Sequence, residues 1–220
     1  RVTNPDGQSS GEFSFNVIPH PPPGSEFFVS GIADIALAGQ PDGTVLRAGC
    51  FGASSALLNA PVEAGLALVP GLAVQFTSVT GAVGFTSSGS SVGSDGKLDS
   101  IVSTAAAFGL SSVRGPAGAL VGVFLDDEVP SGGATPPSLS FSGATREMPV
   151  ISPLLRQPFY IGQGRTGGGA TKRFIIPAQA TRLFLGVLDL SGCNYDNTGS
   201  FAVTAEVGPP PDPPVPGQVT

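Results

Sequence analysis

Tryptophan is absent from this sequence, histidine occurs once, lysine occurs twice, and charged residues fill only 12% of 220 positions. Each shortage closes off a class of function. Ten Lys and Arg against sixteen Asp and Glu leave a net charge of −6. That disfavours nucleic acid, which requires a basic face, and it disfavours an anionic membrane surface. No apolar run approaches the ~20 residues of a membrane-spanning helix. The opening "RVTNPDGQSS" has neither the apolar region nor the cleavage site of a signal peptide. With no indole, the chain lacks the best platform for stacking on a pyranose ring. The single histidine, His20, sits in a proline run. "GSSVG" (89–93) matches G-x-S-x-G around Ser91, but no histidine follows it in the chain to serve as base, so a serine hydrolase is not expected.

What the sequence has is turns and apolar strands. Gly 32 and Pro 22 prevent long helices, and 40% hydrophobic residues allow a sizeable core. Short apolar runs recur between Gly- or Pro-bearing breaks: "EFFVSGIADIAL", "LAVQFTSV", "ALVGVFLDD", "PFYIG", "KRFIIP", "TRLFLGVLD" and "SFAVTAEV". In the last, Phe201, Val203, Ala205 and Val207 alternate with Ala202, Thr204 and Glu206, the period of a half-buried strand. "ALVGVFLDD" is nearly all apolar, as a central strand should be. Only "SIVSTAAAFGL" (100–110) also fits a helical turn or two. The fold class expected is all-β, a sandwich or jelly roll, over residues 25–208. Residues 1–19 read as a β-hairpin around "NPDG". A lone two-stranded hairpin is marginal in water, so it needs a partner. "HPPPG" (20–24) and the Pro-rich 209–220 read as stiff linkers. The low lysine content and the abundance of Ser, Thr, Gly and Ala suggest a mature segment of a secreted, extracellular or cell-surface protein.

Oxygen-bearing side chains crowd into "DLSGCNYDNTGSF" (189–201), where Asp189, Asp196 and Asn197 fall within nine positions. Calcium takes 6–8 oxygen ligands and tolerates irregular geometry. Asp189 ends a predicted strand, and Asp196 and Asn197 directly precede the next. Ser191-Gly192 permits a bend that aims a carbonyl inward. An Asx-rich turn without metal is the alternative. "GQGRTGGG" (162–169) contains G-x-G-x-x-G, but a strand follows it where a dinucleotide site needs a helix, so it reads as a hairpin loop. "DDEVP" (126–130) reads as a solvated strand end, with a second cation site as the alternative. Glu63, Glu128, Glu147 and Glu206 form no motif for glycoside hydrolysis. An enzyme is not expected.

Two resemblances add to this reading. "RVTNPDGQSS" with "FSFNV" resembles the last hairpin of an IPT/TIG immunoglobulin-like domain. "GALVGVFLDD" (118–127), "QPFYIGQGRTGGG" (157–169), "FIIPAQATRLFLGVLD" (174–189) and "DNTGSFAV" (196–203) resemble calcium-dependent galactophilic lectins of the PA-I type, and more closely a lectin-like domain of secreted bacterial surface proteins. That resemblance implies a galactose-binding-like jelly roll with a calcium site. Its ligands carry over as Asp189, the Cys193 carbonyl, Asp196 and Asn197, with a carbonyl from the first loop at Ile35, or Asp34 in its place. In those lectins calcium holds sugar hydroxyls and His and Gln side chains grip the rest. Here no histidine follows the first loop. Gln40 and Tyr195 are the candidate ligand contacts, and galactose specificity does not carry over.

The same resemblance brings the loop after Ile35 beside the loop of Cys193. It thereby implies a Cys50–Cys193 disulfide as a staple across the site, two buried free thiols being the alternative. Two functions follow. One is a calcium-binding, lectin-like carbohydrate or adhesion module. The other is a structural subunit of an extracellular filament or surface layer, in which residues 1–19 complete a second copy of the chain.

Overall fold

Alternation along the last strand sets the face on which the core is built. Phe201, Val203, Ala205 and Val207 are buried, and the residues between them are half-buried. The computed structural model describes residues 24–41, 43–46, 56–57, 60–85 and 89–211. The predicted hairpin at 1–19, the proline run before Gly24, Cys50 and residues 212–220 lie outside the described residues.

The strands follow in chain order. The first five are β1 (Ser25–Ser30), β2 (Val45–Leu46), β3 (Ala56–Leu57), β4 (Val62–Ala64) and β5 (Ala73–Phe85). Next come β6 (Ser90–Val92), β7 (Lys97–Ser103), β8 (Val113–Ala117), β9 (Leu120–Leu125) and β10 (Leu139–Ser140). The last are β11 (Val150–Ile151), β12 (Phe159–Tyr160), β13 (Arg173–Ile175), β14 (Arg182–Val187) and β15 (Asn197–Gly208). Helical structure among the described residues is confined to 3-10 turns at Ile35–Leu37, Ala144–Glu147 and Asn194–Asp196. The all-β expectation holds.

Four sheets result. The largest has six strands in the order β1-β15-β5-β13-β11, with β6 also on β5. The second runs β12-β9-β14-β4, the third β10-β8-β7, and β2-β3 is a small ribbon. The six residues of β9 are all buried, because it lies between β12 and β14 inside its sheet. The segment 100–110 is not helical. Its first part belongs to β7, and Ala107 and Leu110 then bridge across a tight turn.

A chain of aromatic rings joins the two larger sheets into a β-sandwich. Phe76 on β5 meets Phe174 on β13 edge-on at 5.5 Å between centroids. Phe174 stacks on Phe159 of β12 at 4.9 Å, and Phe159 meets Phe124 of β9 at 5.2 Å. All four are fully buried. Ring pairs of this kind add about 0.5–1.5 kcal/mol beyond their area burial.

Candidate functional site

The site forms where β1 and β14 end and β15 begins. The first loop lies against β14 backbone to backbone. The Val187 amide donates to the Ala33 carbonyl at 2.8 Å, and Asp34 bridges Val187 in parallel register. Gly186 permits this approach, since a Cβ there would stand 3.0 Å from the Ala33 carbonyl oxygen and 3.1 Å from the Ile35 nitrogen. Asp34 therefore enters the interior at 1% exposure. Its Oδ1 accepts the Ala36 amide at 2.9 Å and caps the 3-10 turn; its Oδ2 accepts the Gly192 amide at 2.9 Å. One carboxylate thus ties the first loop to the 189–197 loop.

That second loop is held by its own turns. The Cys193 amide donates to the Leu190 carbonyl at 2.8 Å, and Gly192 takes a φ of 71° that a side chain would resist. Asp189 Oδ1 accepts the Leu190 amide at 2.7 Å, and its Oδ2 accepts the Asn197 amide nitrogen at 3.2 Å. Asn197 Nδ2 also donates to the Gly31 carbonyl at 3.2 Å. Asn194, fully buried, donates to the Val187 carbonyl at 3.1 Å and the Gly31 carbonyl at 3.5 Å. The oxygens of both amides are left over: Oδ1 of Asn194 and Oδ1 of Asn197 are buried with no hydrogen-bond partner among the described residues.

The electrostatics point the same way. Burial raises the pKa of Asp34; the Gly192 and Ala36 amides oppose the shift, and the Asp189 charge adds to it. Burial likewise raises the pKa of Asp189; the Leu190 amide and Asn197 oppose it, and Asp196 adds to it. No Lys or Arg is paired with either carboxylate among the described residues. Asp34 and Asp189 thus stand close enough to repel each other where burial disfavours charge, beside two orphaned oxygens. Unpaired buried polar groups cost about 1–3 kcal/mol each, and buried charge costs more.

The expected residues separate into those at this point and those away from it. Asp34, Asp189, Asp196, Asn197 and Cys193 share the loop junction. Ile35 supplies a core side chain, and its carbonyl accepts the Ala38 amide within the 3-10 turn. Gln40 turns away, donating to the Pro130 carbonyl at 2.6 Å. Tyr195 and Leu190 stand exposed at the rim, at 42% and 44%. Cys193 is nearly buried and carries no free thiol; Cys50 lies outside the described residues. Among the described residues no three His, Cys, Asp or Glu side chains group as a metal site, so a cation here would draw on amide and main-chain oxygens as well.

Asn194 and Gly31 went unrecognised in the sequence. A signal for Asn194 existed: residues three apart eclipse in a 3-10 turn, so Asn194 and Asn197 share one side. Gly31 meets the side chains of Asn194 and Asn197 through its carbonyl, a main-chain group that no residue type announces.

A second buried polar cluster lies elsewhere. Lys172, 1% exposed, donates from Nζ to the Ile161 carbonyl at 3.2 Å and lies 4.4 Å from the Tyr160 ring centroid. The Tyr160 hydroxyl donates to Asp95 Oδ1 at 2.9 Å, which also accepts the Gln163 amide at 3.0 Å. This cluster anchors the 162–169 loop, which closes as a hairpin through an Arg165–Thr171 bridge and a 2.8 Å bond from the Thr166 amide to the Ala170 carbonyl. Near "DDEVP", Arg156 pairs with Asp126 at 3.4 Å, and Arg182 donates to the Asp126 and Glu128 carbonyls. Arginine already occupies that strand end. No family model, curated protein or solved structure matches this chain.

Proposed function

We propose that this chain is a calcium-binding, lectin-like module of a secreted or cell-surface protein, of galactose-binding-like jelly-roll type, serving carbohydrate binding or adhesion. The observation that carries the reading is the pair of orphaned amide oxygens on Asn194 and Asn197 beside Asp34 and Asp189, which have no Lys or Arg partner among the described residues. The donor set suits calcium, which prefers hard oxygens and accepts uneven geometry. Asp189, Asp196, Asn197 and the Cys193 carbonyl would hold the ion, with Asp34 supplying the first-loop contribution and Asn194 a further amide oxygen. The bound ion would offset the like charge of Asp34 and Asp189 and present an open side to hydroxyl groups of a glycan. Exposure of Tyr195 supports its role as a ligand contact. The lack of a free thiol at Cys193, in a chain with one other cysteine, supports the Cys50–Cys193 pairing.

Thermal melting with calcium and with chelator tests the site. Calcium at a hundredfold over its Kd is expected to stabilise the fold by about 2.7 kcal/mol, and Asp189→Ala to abolish that gain. Equal melting in calcium and chelator overturns the site. A glycan array with and without chelator then tests the ligand class. A second reading, assembly of copies into an extracellular filament through the N-terminal segment, is favoured by the outer edge of β1, which has no partner strand among the described residues.

A further inference from the structure

Sheet edges invite pairing unless they are short, bulged, charged or covered. Most edges here are protected. β4, β6, β10, β11 and β12 are two or three residues long. β7 is longer, but its register breaks between Lys97 and Ile101 and it carries Lys97 and Asp99. β1 has none of these devices beyond Glu26. Its six residues pair in unbroken register with β15 and, among the described residues, on that side only.

The ladder identifies the groups left open. The Gly31 amide donates to the Gly199 carbonyl at 2.9 Å, continuing the β1–β15 register. By the alternation of an antiparallel ladder, Val29 and Phe27 then face β15, and Glu26, Phe28 and Ser30 face outward. The Ser30 carbonyl is taken by the Ala33 amide at 3.0 Å. Glu26 and Phe28 keep an amide and a carbonyl each, unpaired among the described residues. Phe28 is 64% exposed, and Phe27 on the core side is only half-buried.

We propose that the outer edge of β1 is the acceptor for residues 12–17, "EFSFNV", of a second copy of this chain; this rests on the assembly reading above. Phe13, Phe15 and Val17 alternate with Ser14 and Asn16, so one face of the added strand continues the core row beyond Phe27 and Val29. The sequence between this segment and β1 disfavours a tight return onto the same chain's edge: Ile18, His20, Pro21 and Pro22 each precede a proline, which disfavours the α-region backbone that a tight turn uses. Each copy then offers one donor and one acceptor, the arrangement that builds head-to-tail chains.

Sedimentation velocity on the full chain tests this. The wild type is expected to gain mass with concentration, to two copies or more. Phe28→Pro removes an outward amide and leaves the bonds to β15 in place. The pair Phe13→Asp and Phe15→Asp spoils the donor. Each variant alone is expected to sediment as one chain, and a mixture of the two to associate, because one keeps the donor and the other the acceptor. Association on mixing also shows that both variants are folded. A wild type that stays monomeric at every concentration overturns both this assignment and the assembly reading. Association that survives Phe28→Pro but is lost in the Phe13→Asp, Phe15→Asp chain overturns the β1 edge alone and leaves assembly standing. Variants that are each monomeric but do not associate on mixing also overturn the proposal.

Discussion

Two buried polar clusters sit in this sandwich, and they are built to opposite rules. Around Lys172 the charges are of both signs: its ammonium has a carbonyl and an aromatic face, and Asp95 accepts both the Tyr160 hydroxyl and a main-chain amide. Around Asp34 and Asp189 the charges among the described residues are of one sign, and two amide oxygens have no hydrogen-bond partner there. The first cluster is complete as it stands and ties down a glycine-rich loop. In the second, neither Asp34 nor Asp189 pairs with a Lys or Arg among the described residues. Buried polar networks are stabilising when satisfied and costly when not, so the incomplete one is where a cation is expected.

The largest effect that would sharpen this contrast comes from Asp34→Ala. Losing the acceptor for the Ala36 and Gly192 amides is expected to cost about 1–3 kcal/mol in chelator. In calcium the gap to wild type should widen further, by up to the ion's full contribution. A gap equal in both conditions, measured by denaturant unfolding, would remove Asp34 from the ion's surroundings.

Next in size is the pH response of the other cluster. Burial brings Lys172 down to about 8 from an ordinary 10.5, with Asp95 and Glu147 opposing the shift. Between those values the unfolded chain binds the extra proton, so stability should rise with pH across that window, by about 2–3 kcal/mol at most. Lys172→Met is expected to flatten the rise. A slope unchanged by the substitution would mean that the ammonium is not desolvated.

Tyr160→Phe should cost about 1.5 kcal/mol, the value of a hydrogen bond to a charged group, and the loss should be the same with calcium or chelator. A calcium-dependent loss would join the two clusters and break the comparison. Smallest is Gln40→Ala, which gives up one bond to the Pro130 carbonyl. It should cost about 0.5–1 kcal/mol and leave the calcium response untouched. A weakened calcium response would return Gln40 to the site.

The sequence by itself determined the strands and their faces. Phe201 to Val207 alternate in burial as they alternate in polarity, and the all-apolar β9 lies inside its sheet. Side-chain period and apolar content are local properties, so they can be read along the chain. It also marked the 189–197 loop, because Asx residues between strand ends are a local pattern too. Segment 100–110 was ambiguous for the same reason: small residues fit either state, and only pairing with β8 drew its first part into a strand. Tertiary structure decided the partners. Asp34 reaches Gly192 across 158 positions, and the Gly31 carbonyl meets amides from Asn194 and Asn197. Gln40 is turned to a carbonyl 90 residues away. Which amides a buried carboxylate meets, and which strand lies at a sheet edge, depends on how distant strands meet, and nothing in the local pattern of residues encodes that meeting.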